Sequence, residues 1–515
     1  MTHRSALFMA LALVACAPDD PYASSLDFVS PVATDRSLAY VDKTNNELVF
    51  ALPQDDRLDM VRRSVGDDRS TVLWSRATVG GDGVIVMTAP ASDKEEDIGE
   101  QLHWWPADGE DQGRVYDVLA PFTSVSLSPD EQRAVLHFGG GVSSGALQNA
   151  NQVAVVDLQG TEVRNLTLNG FGGRLQAVDF PTVDGIDGTV AVGGRGLELA
   201  AFLAEGEVVL VDMADAQADQ VAVRFGDAVN FSPVETLLRP GDDVFDRPAL
   251  FLRSDVGADV AMLTLVDKPD PATGAPGFSA QVSLIPVGNG ATDLSTYNGA
   301  EAPYLVTTDG GAMIFTDIRT QESFSVGTGG LAQRLFMRDA QTVGGSTIRQ
   351  AVAWAPGGNA LFTLDLDAIE ETIGRTPRVL NIETGIEELV VLDNDRVLVS
   401  SGLNLYVVDI PLEQVTPLSS MSPYDAQSSA LEGDRLLLGT PGQQFVSTVD
   451  LLTLNPESMV LDDPIDRFHY LPGVNKLVLT HDDRVGHMTV ADALNPSRSS
   501  SYVAWGYLLD GLLDP

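Results

Sequence analysis

From about residue 30 onward the chain alternates short apolar runs with polar turns. Segments of four to seven residues rich in Val, Leu, Ile, Phe and Tyr are separated by Gly, Asp, Asn and Pro. This is the pattern of strands joined by tight turns. Helical periodicity is scarce, and residues 367–372, inside a connection, are the best short candidate. An all-β chain is predicted.

The strands recur. One unit is an apolar strand ending in Asp: Val153-Ala154-Val155-Val156-Asp157, Val208-Val209-Leu210-Val211-Asp212, Leu263-Thr264-Leu265-Val266-Asp267, Met313-Ile314-Phe315-Thr316-Asp317 and Leu405-Tyr406-Val407-Val408-Asp409. The steps between these aspartates are 55, 55, 50 and 92 residues, and Asp365 divides the last into 48 and 44. Asp450 and Asp492 follow at 41 and 42, and weaker copies precede the series around Leu48-Val49-Phe50 and Leu102-His103-Trp104. A period in the forties to fifties with about four strands per repeat predicts a β-propeller. Ten quasi-repeats can be counted across residues 31–512, whereas propellers typically have about four to eight blades. The expectation is therefore a single propeller of seven or eight four-stranded blades, with insertions or a second propeller absorbing the surplus. Closure is expected to pair strands from the two chain ends, because an open array leaves sheet edges exposed.

Three turns support the repeat. Ser126-Leu127-Ser128-Pro129-Asp130 precedes a strand at Arg133, and Asn230-Phe231-Ser232-Pro233 and Trp354-Ala355-Pro356-Gly357-Gly358-Asn359 look like copies. Pro fixes φ, and Asp or Gly completes a tight turn. These resemble the SPDG turn of bacterial WD-repeat-like propellers of the TolB and YVTN types. The resemblance implies a binding module, often one that serves in cell-envelope assemblies.

Charge narrows the partners. The formal net charge is −42, and only four of the 31 basic residues are lysine. So negative a surface repels nucleic acid and anionic lipid heads, which excludes both as partners. Mean hydropathy is +0.05, and past the amino terminus no apolar run approaches the about 20 residues that span a bilayer.

The amino terminus is different. After His3 and Arg4 comes the apolar run Leu7-Phe8-Met9-Ala10-Leu11-Ala12-Leu13-Val14, too short to span a membrane and suited to a secretory signal. It ends in Leu13-Val14-Ala15-Cys16, which resembles a bacterial lipobox, and Cys16 is the only cysteine in the chain. The resemblance implies a signal peptide over residues 1–15, thioether lipidation of Cys16 and acylation of the new amino terminus. Lipidation would also remove a thiol otherwise carried unpaired into an oxidising compartment. Ala17 stands where an inner-membrane retention signal has Asp, which points to the outer membrane. Residues 16–30, with Pro18, Asp19, Asp20 and Pro21, read as a lipidated end and solvated spacer, and residues 31–512 as the propeller.

Motifs that could carry chemistry are weak. Gly141-Val142-Ser143-Ser144-Gly145 matches a nucleophile elbow, but no helix-length segment follows it, so a glycine-rich hairpin loop is expected. His481-Asp482-Asp483-Arg484-Val485-Gly486-His487 offers two imidazoles and two carboxylates, yet its spacing crosses a hairpin and favours a solvated turn over a ligand set. Asp184-Gly185-Ile186-Asp187-Gly188 and Asp393-Asn394-Asp395 lack the spaced oxygens of an EF-type loop. No cofactor is expected, with calcium limited to adventitious binding at these acidic turns. Trp74, Trp104, Trp105 and Trp354 fall at strand positions and are expected in blade cores, as are His137 and His469 in or beside them. Insertions at 92–100, 268–277 and 344–347 are candidate binding loops. No catalytic or metal-binding residue is assigned, and Cys16 is the one predicted attachment site.

Two functions follow. The first is a membrane-tethered, non-catalytic propeller scaffold that binds a protein or other envelope partner. The alternative is a propeller enzyme, a lyase or hydrolase, with loop carboxylates and histidines gathered at the channel mouth.

Overall fold

The computed structural model describes residues 27–509, apart from 67–68, 79, 92–98, 140–148, 150, 169–174, 183–188, 214–219, 226–230, 242–245, 270–273, 275–276, 300–301, 342–346, 370–373, 394, 403, 419–424, 426–428, 433 and 484. Ten sheets are formed, each from one contiguous stretch. We number them as blades 1 to 10: residues 32–64, 70–118, 124–167, 177–224, 233–286, 293–332, 334–381, 388–418, 429–460 and 467–505. Nine have four strands in sequence order; in blade 4 a fifth, Thr189–Val192, pairs with Arg195–Ala204 through a turn whose Gly193 and Gly194 both have positive φ (60° and 82°). Of the helix candidate 367–372, residues 367–369 form a turn and the rest lies outside the described residues.

The all-β prediction holds, and the architecture is a β-propeller with ten blades rather than seven or eight. All ten counted repeats are third strands of separate sheets, including the weak copies in Glu47–Pro53 and Glu100–Pro106. None is an insertion. The chain divides into two compact units: Met1–Val115 with Asp425–Thr448 and Glu457–Pro515, and Tyr116–Tyr424 with Val449–Pro456. The first holds blades 1 and 10 and most of blades 2 and 9; the second holds blades 3 to 8.

The recurrent aspartate has a structural cause. Asp157, Asp317, Asp365, Asp409, Asp450 and Asp492 each end a third strand, and each carboxylate accepts hydrogen bonds from backbone amides two or three residues on, at 2.8–3.1 Å. These Asx turns reverse the chain into the outermost strand while satisfying amides the ladder leaves behind. The next residue is apolar and buried in all six (Leu158, Ile318, Leu366, Ile410, Leu451, Ala493). In four of them its amide donates back to a carbonyl at the opening of the second strand, as from Ile410 to Asp395 at 2.9 Å, and in a fifth Leu366 donates to Arg349 inside that strand. Two aspartates depart from the pattern. Asp212 is buried and accepts the Glu198 amide at 3.2 Å with Arg195 at 3.8 Å. Beyond Asp267 the ladder continues from the Lys268 amide to the Gly277 carbonyl, so no turn is needed there.

The three SP-like turns occupy three different places. Ser128 lies between the first and second strands of blade 3, Ala355 between the second and third of blade 7, and Pro233 opens the first strand of blade 5. They are not copies of one element. The true counterparts of Ser128 are Thr34 and Thr78: in each, the hydroxyl accepts an amide across the first turn (Ser37, Gly83 and Arg133 amides at 2.8, 3.0 and 3.0 Å).

Within the first unit the chain ends meet by packing. Blade 1 is built wholly from residues 32–64 and blade 10 from 467–505, so the expected pairing of end strands is absent among the described residues. Instead Leu38, Tyr40, Val49 and Ala51 share a core with Leu471, Val478, Met488 and Tyr507. The Tyr40 and Tyr507 hydroxyls lie 2.6 Å apart, and burial pushes Tyr40 up to about 12. Arg62 donates to the Leu508 carbonyl, and Tyr502 to that of Arg57. Side chains therefore perform the fastening that a shared sheet was expected to provide.

The turn analysis gives a direct test. Replacing Asp492 with Ala removes acceptors for the Leu494 and Asn495 amides and should cost about 1–2 kcal/mol locally. Hydrogen exchange over residues 492–497 should accelerate accordingly, and Asp492→Asn, which keeps an acceptor, should restore most of the protection.

Candidate functional site

The motif at residues 481–487 closes the hairpin between Lys476–Thr480 and His487–Asp492 in blade 10. Its carboxylates are solvated as expected, but its histidines are not: His481 and His487 are both buried. Gly486 (φ 90°) lets the hairpin lie against Tyr507, whose ring a Cβ there would approach to 2.8 Å. The Gly506 and Leu508 amides then donate to the Gly486 and Val485 carbonyls.

The two imidazoles lie 4.3 Å apart, and each has a distinct environment. His481 Nδ1 is 2.8 Å from the Pro464 carbonyl, which can only accept, so Nδ1 carries the proton. Its Nε2 is hydrogen-bonded to the Thr489 hydroxyl at 2.8 Å. Both nitrogens are committed, which leaves no lone pair for a metal. His487 stacks on Trp505 with centroids 3.5 Å apart and planes 18° from parallel, and its Nε2 lies 3.8 Å from Asp463. Burial, followed by His481, lowers the proton affinity of His487 against the opposing pull of Asp463 and Asp483. Among the described residues no group of three His, Cys, Asp or Glu side chains is arranged to hold a metal ion.

Beside this cluster lies a cavity of about 310 Å³ between the outer strands Asn455–Val460 of blade 9 and Ser501–Trp505 of blade 10. Met459, Leu461 and Val503 supply apolar walls, and Thr489, which binds His481, reaches it too. Arg498 spans the rim to Asp462 at 2.9 Å. Trp505 is 61% exposed, with one face on His487. Sequence reading missed this arrangement because it joins two blades. One signal was available: in an antiparallel hairpin ladder the last strand sets Trp505 opposite His487 and Val503 opposite Thr489.

The remaining candidates are dispersed. Cys16, the elbow at 141–145 and the acidic turn at 184–188 lie outside the described residues, as does most of the insertions at 92–100 and 344–347. Asp393 accepts the Asp395 and Arg396 amides and pairs with Arg396 at 2.7 Å; burial pushes its carboxyl up, but these contacts together hold it below the usual range. Asp395 receives the buried guanidinium of Arg338 at 2.6 Å. The four tryptophans assigned to blade cores are only half-buried. Trp104 and Trp105 are consecutive on one strand and so face opposite sides. Trp104 sits beneath the Arg114 guanidinium at 4.9 Å, and Trp105 packs against the cluster containing Leu48 and Phe50. His137 closes its strand near Ser126, and burial holds both His469 and His103 down to about 4.

No family model matches the chain, and no curated protein matches it. Solved structures do overlay it. A eukaryotic initiation factor covers 92% of this chain and 95% of its own at 11% identity, with a TM-score of 0.42. Dihydro-heme d1 dehydrogenase NirN in complex with DHE covers 94% and 80% at 13% identity (TM-score 0.39). Apo AztD from Citrobacter koseri covers 71% and 92% at 11% identity (TM-score 0.35). At these identities and scores the overlays carry no argument about what this chain binds.

The buried histidines set a pH response. His103 is 4% exposed, with Nε2 3.2 Å from the Thr88 hydroxyl and Nδ1 lacking a hydrogen-bond partner. Its affinity for a proton is depressed in the fold, so its contribution to stability is complete above the unfolded value near 6.5 and is lost as pH falls towards about 4. Denaturation of the parent and of His103→Gln between pH 7 and 4 should show a shallower acid loss in the variant, by at most about 3 kcal/mol.

Proposed function

We propose that the protein is a lipid-anchored, extracytoplasmic propeller scaffold whose role is to bind a protein or other cell-envelope partner without chemistry of its own. The observation that carries the reading is the lipobox-like Leu13-Val14-Ala15-Cys16 at the end of a short apolar run, holding the single cysteine of the chain. Anchoring by several acyl chains is durable where one chain holds only marginally. The segment between Cys16 and Asp27 then sets the blades off the bilayer, Phe28 and Val29 being already joined to blade 1, and the ten sheets offer many turns and edges for contact. The outer membrane is the proposed site, on the strength of Ala17. The imidazoles support a binding role over a catalytic one, since both nitrogens of His481 are taken up by Pro464 and Thr489 and the exposed face of Trp505 is apolar.

The anchor is tested by labelling with a radioactive fatty acid and by fractionation. The parent should take up label and sediment with outer membranes; Cys16→Ser should lose the label and become soluble. Equal fractionation of both would overturn the anchor. Recovery of the detergent-solubilised protein alone, in repeated purifications, would count against the scaffold.

A further inference from the structure

We infer that the outer edge of blade 10 is a docking strand for an extended segment of a partner polypeptide, one carrying an apolar side chain and, two residues along, an Arg or Lys. The inference rests on the scaffold reading and names its binding surface.

Three observations converge. Ser501–Trp505 ends its sheet, and among the described residues no strand is hydrogen-bonded to its outer side. An extended segment can therefore add to it through main-chain hydrogen bonds, with alternate side chains setting specificity. Val503 and Trp505 are both exposed and stand two residues apart, so they share a face of the strand. The cavity beside Val503, walled by Met459 and Leu461, can take one large apolar side chain. At the next position on that face lies the indole of Trp505, held flat from behind by the buried His487 ring. A rigid aromatic face open to solvent is a platform for a cation, guanidinium above all.

Charge selects the occupant. Asp462 lines the cavity, and Asp463 and Asp483 act on the His487 ring beneath Trp505. Among the described residues the one cation lining the cavity, Arg498, is paired with Asp462. The groove is therefore acidic on balance, which suits a cationic segment and opposes a second copy of a chain with net charge −42.

The test uses the full chain and blocked nonapeptides of alternating Thr residues, with one central Phe and an Arg two positions beyond it. Saturable binding is expected by calorimetry. Moving the Arg by a single position, which turns it to the other face, should weaken binding about tenfold, as should Trp505→Ala. Val379→Ala, on the exposed outer strand of blade 7, should bind as the parent does. Val460→Trp closes the cavity from its other wall without adding charge and replaces Trp505→Ala should that variant unfold. Absence of saturable binding by the parent, indifference to the Arg position, or equal binding by the groove variants overturns the docking strand. If an envelope partner is still co-purified stoichiometrically with Trp505→Ala, the scaffold stands and this surface alone falls; if the parent recovers none, the scaffold reading itself fails.

Discussion

An aspartate at the end of a third strand is the contact on which six of the ten blades depend. A four-stranded blade must reverse direction three times, and its last reversal delivers the most exposed strand, which has little apolar surface to hold it. The carboxylates of Asp157, Asp317, Asp365, Asp409, Asp450 and Asp492 bind the amides that this reversal exposes. Each is followed at once by a buried apolar residue. Polar turn and apolar anchor are thus adjacent in sequence, and the outer strand is fixed from its first residue. Where another device serves the same end, as in the longer hairpin after Asp267, the carboxylate is released from the task.

This explains what could be read from the chain. The turn needs one residue type at one place, so the aspartates kept their period through blades whose lengths differ. The blade number exceeds the expected seven or eight because each of the ten repeats forms its own sheet, whereas typical propellers have about four to eight blades. Leu48-Val49-Phe50 and Leu102-His103-Trp104 seemed marginal only because their strands do not end in Asp. The Ser-Pro turns misled in the opposite way. Pro and Gly make tight turns wherever a chain reverses, so Ser128, Pro233 and Ala355 look alike while serving three different connections. The hydroxyls of Thr34, Thr78 and Ser128, which do correspond, share no flanking motif.

The fastening of blade 1 to blade 10 was illegible for a related reason. Sheet closure by strand exchange leaves a periodic trace, whereas side-chain packing between Tyr40 and Tyr507 leaves none. Hydroxyls 2.6 Å apart, within a shared apolar core, join residues 467 positions apart without any local pattern. The same holds for the groove of blades 9 and 10. Asp462 lies in the connection after blade 9 and Thr489 and Tyr502 on the last two strands of blade 10, so they line one cavity only after the blades have packed.

Burial also changed the chemistry expected at residues 481–487. Two histidines and two carboxylates in seven residues suggest a ligand set or a wet turn, but the hairpin sorts them by phase. The imidazoles face inward and the carboxylates outward. His481 is thereby a hydrogen-bonded link between Pro464 and Thr489, and His487, whose proton affinity burial lowers, a flat support for Trp505. The carboxylates left outside then give that face its sign. The motif is thus a turn sorted by phase, with its imidazoles packed beneath Trp505 and Asp482 left in solvent.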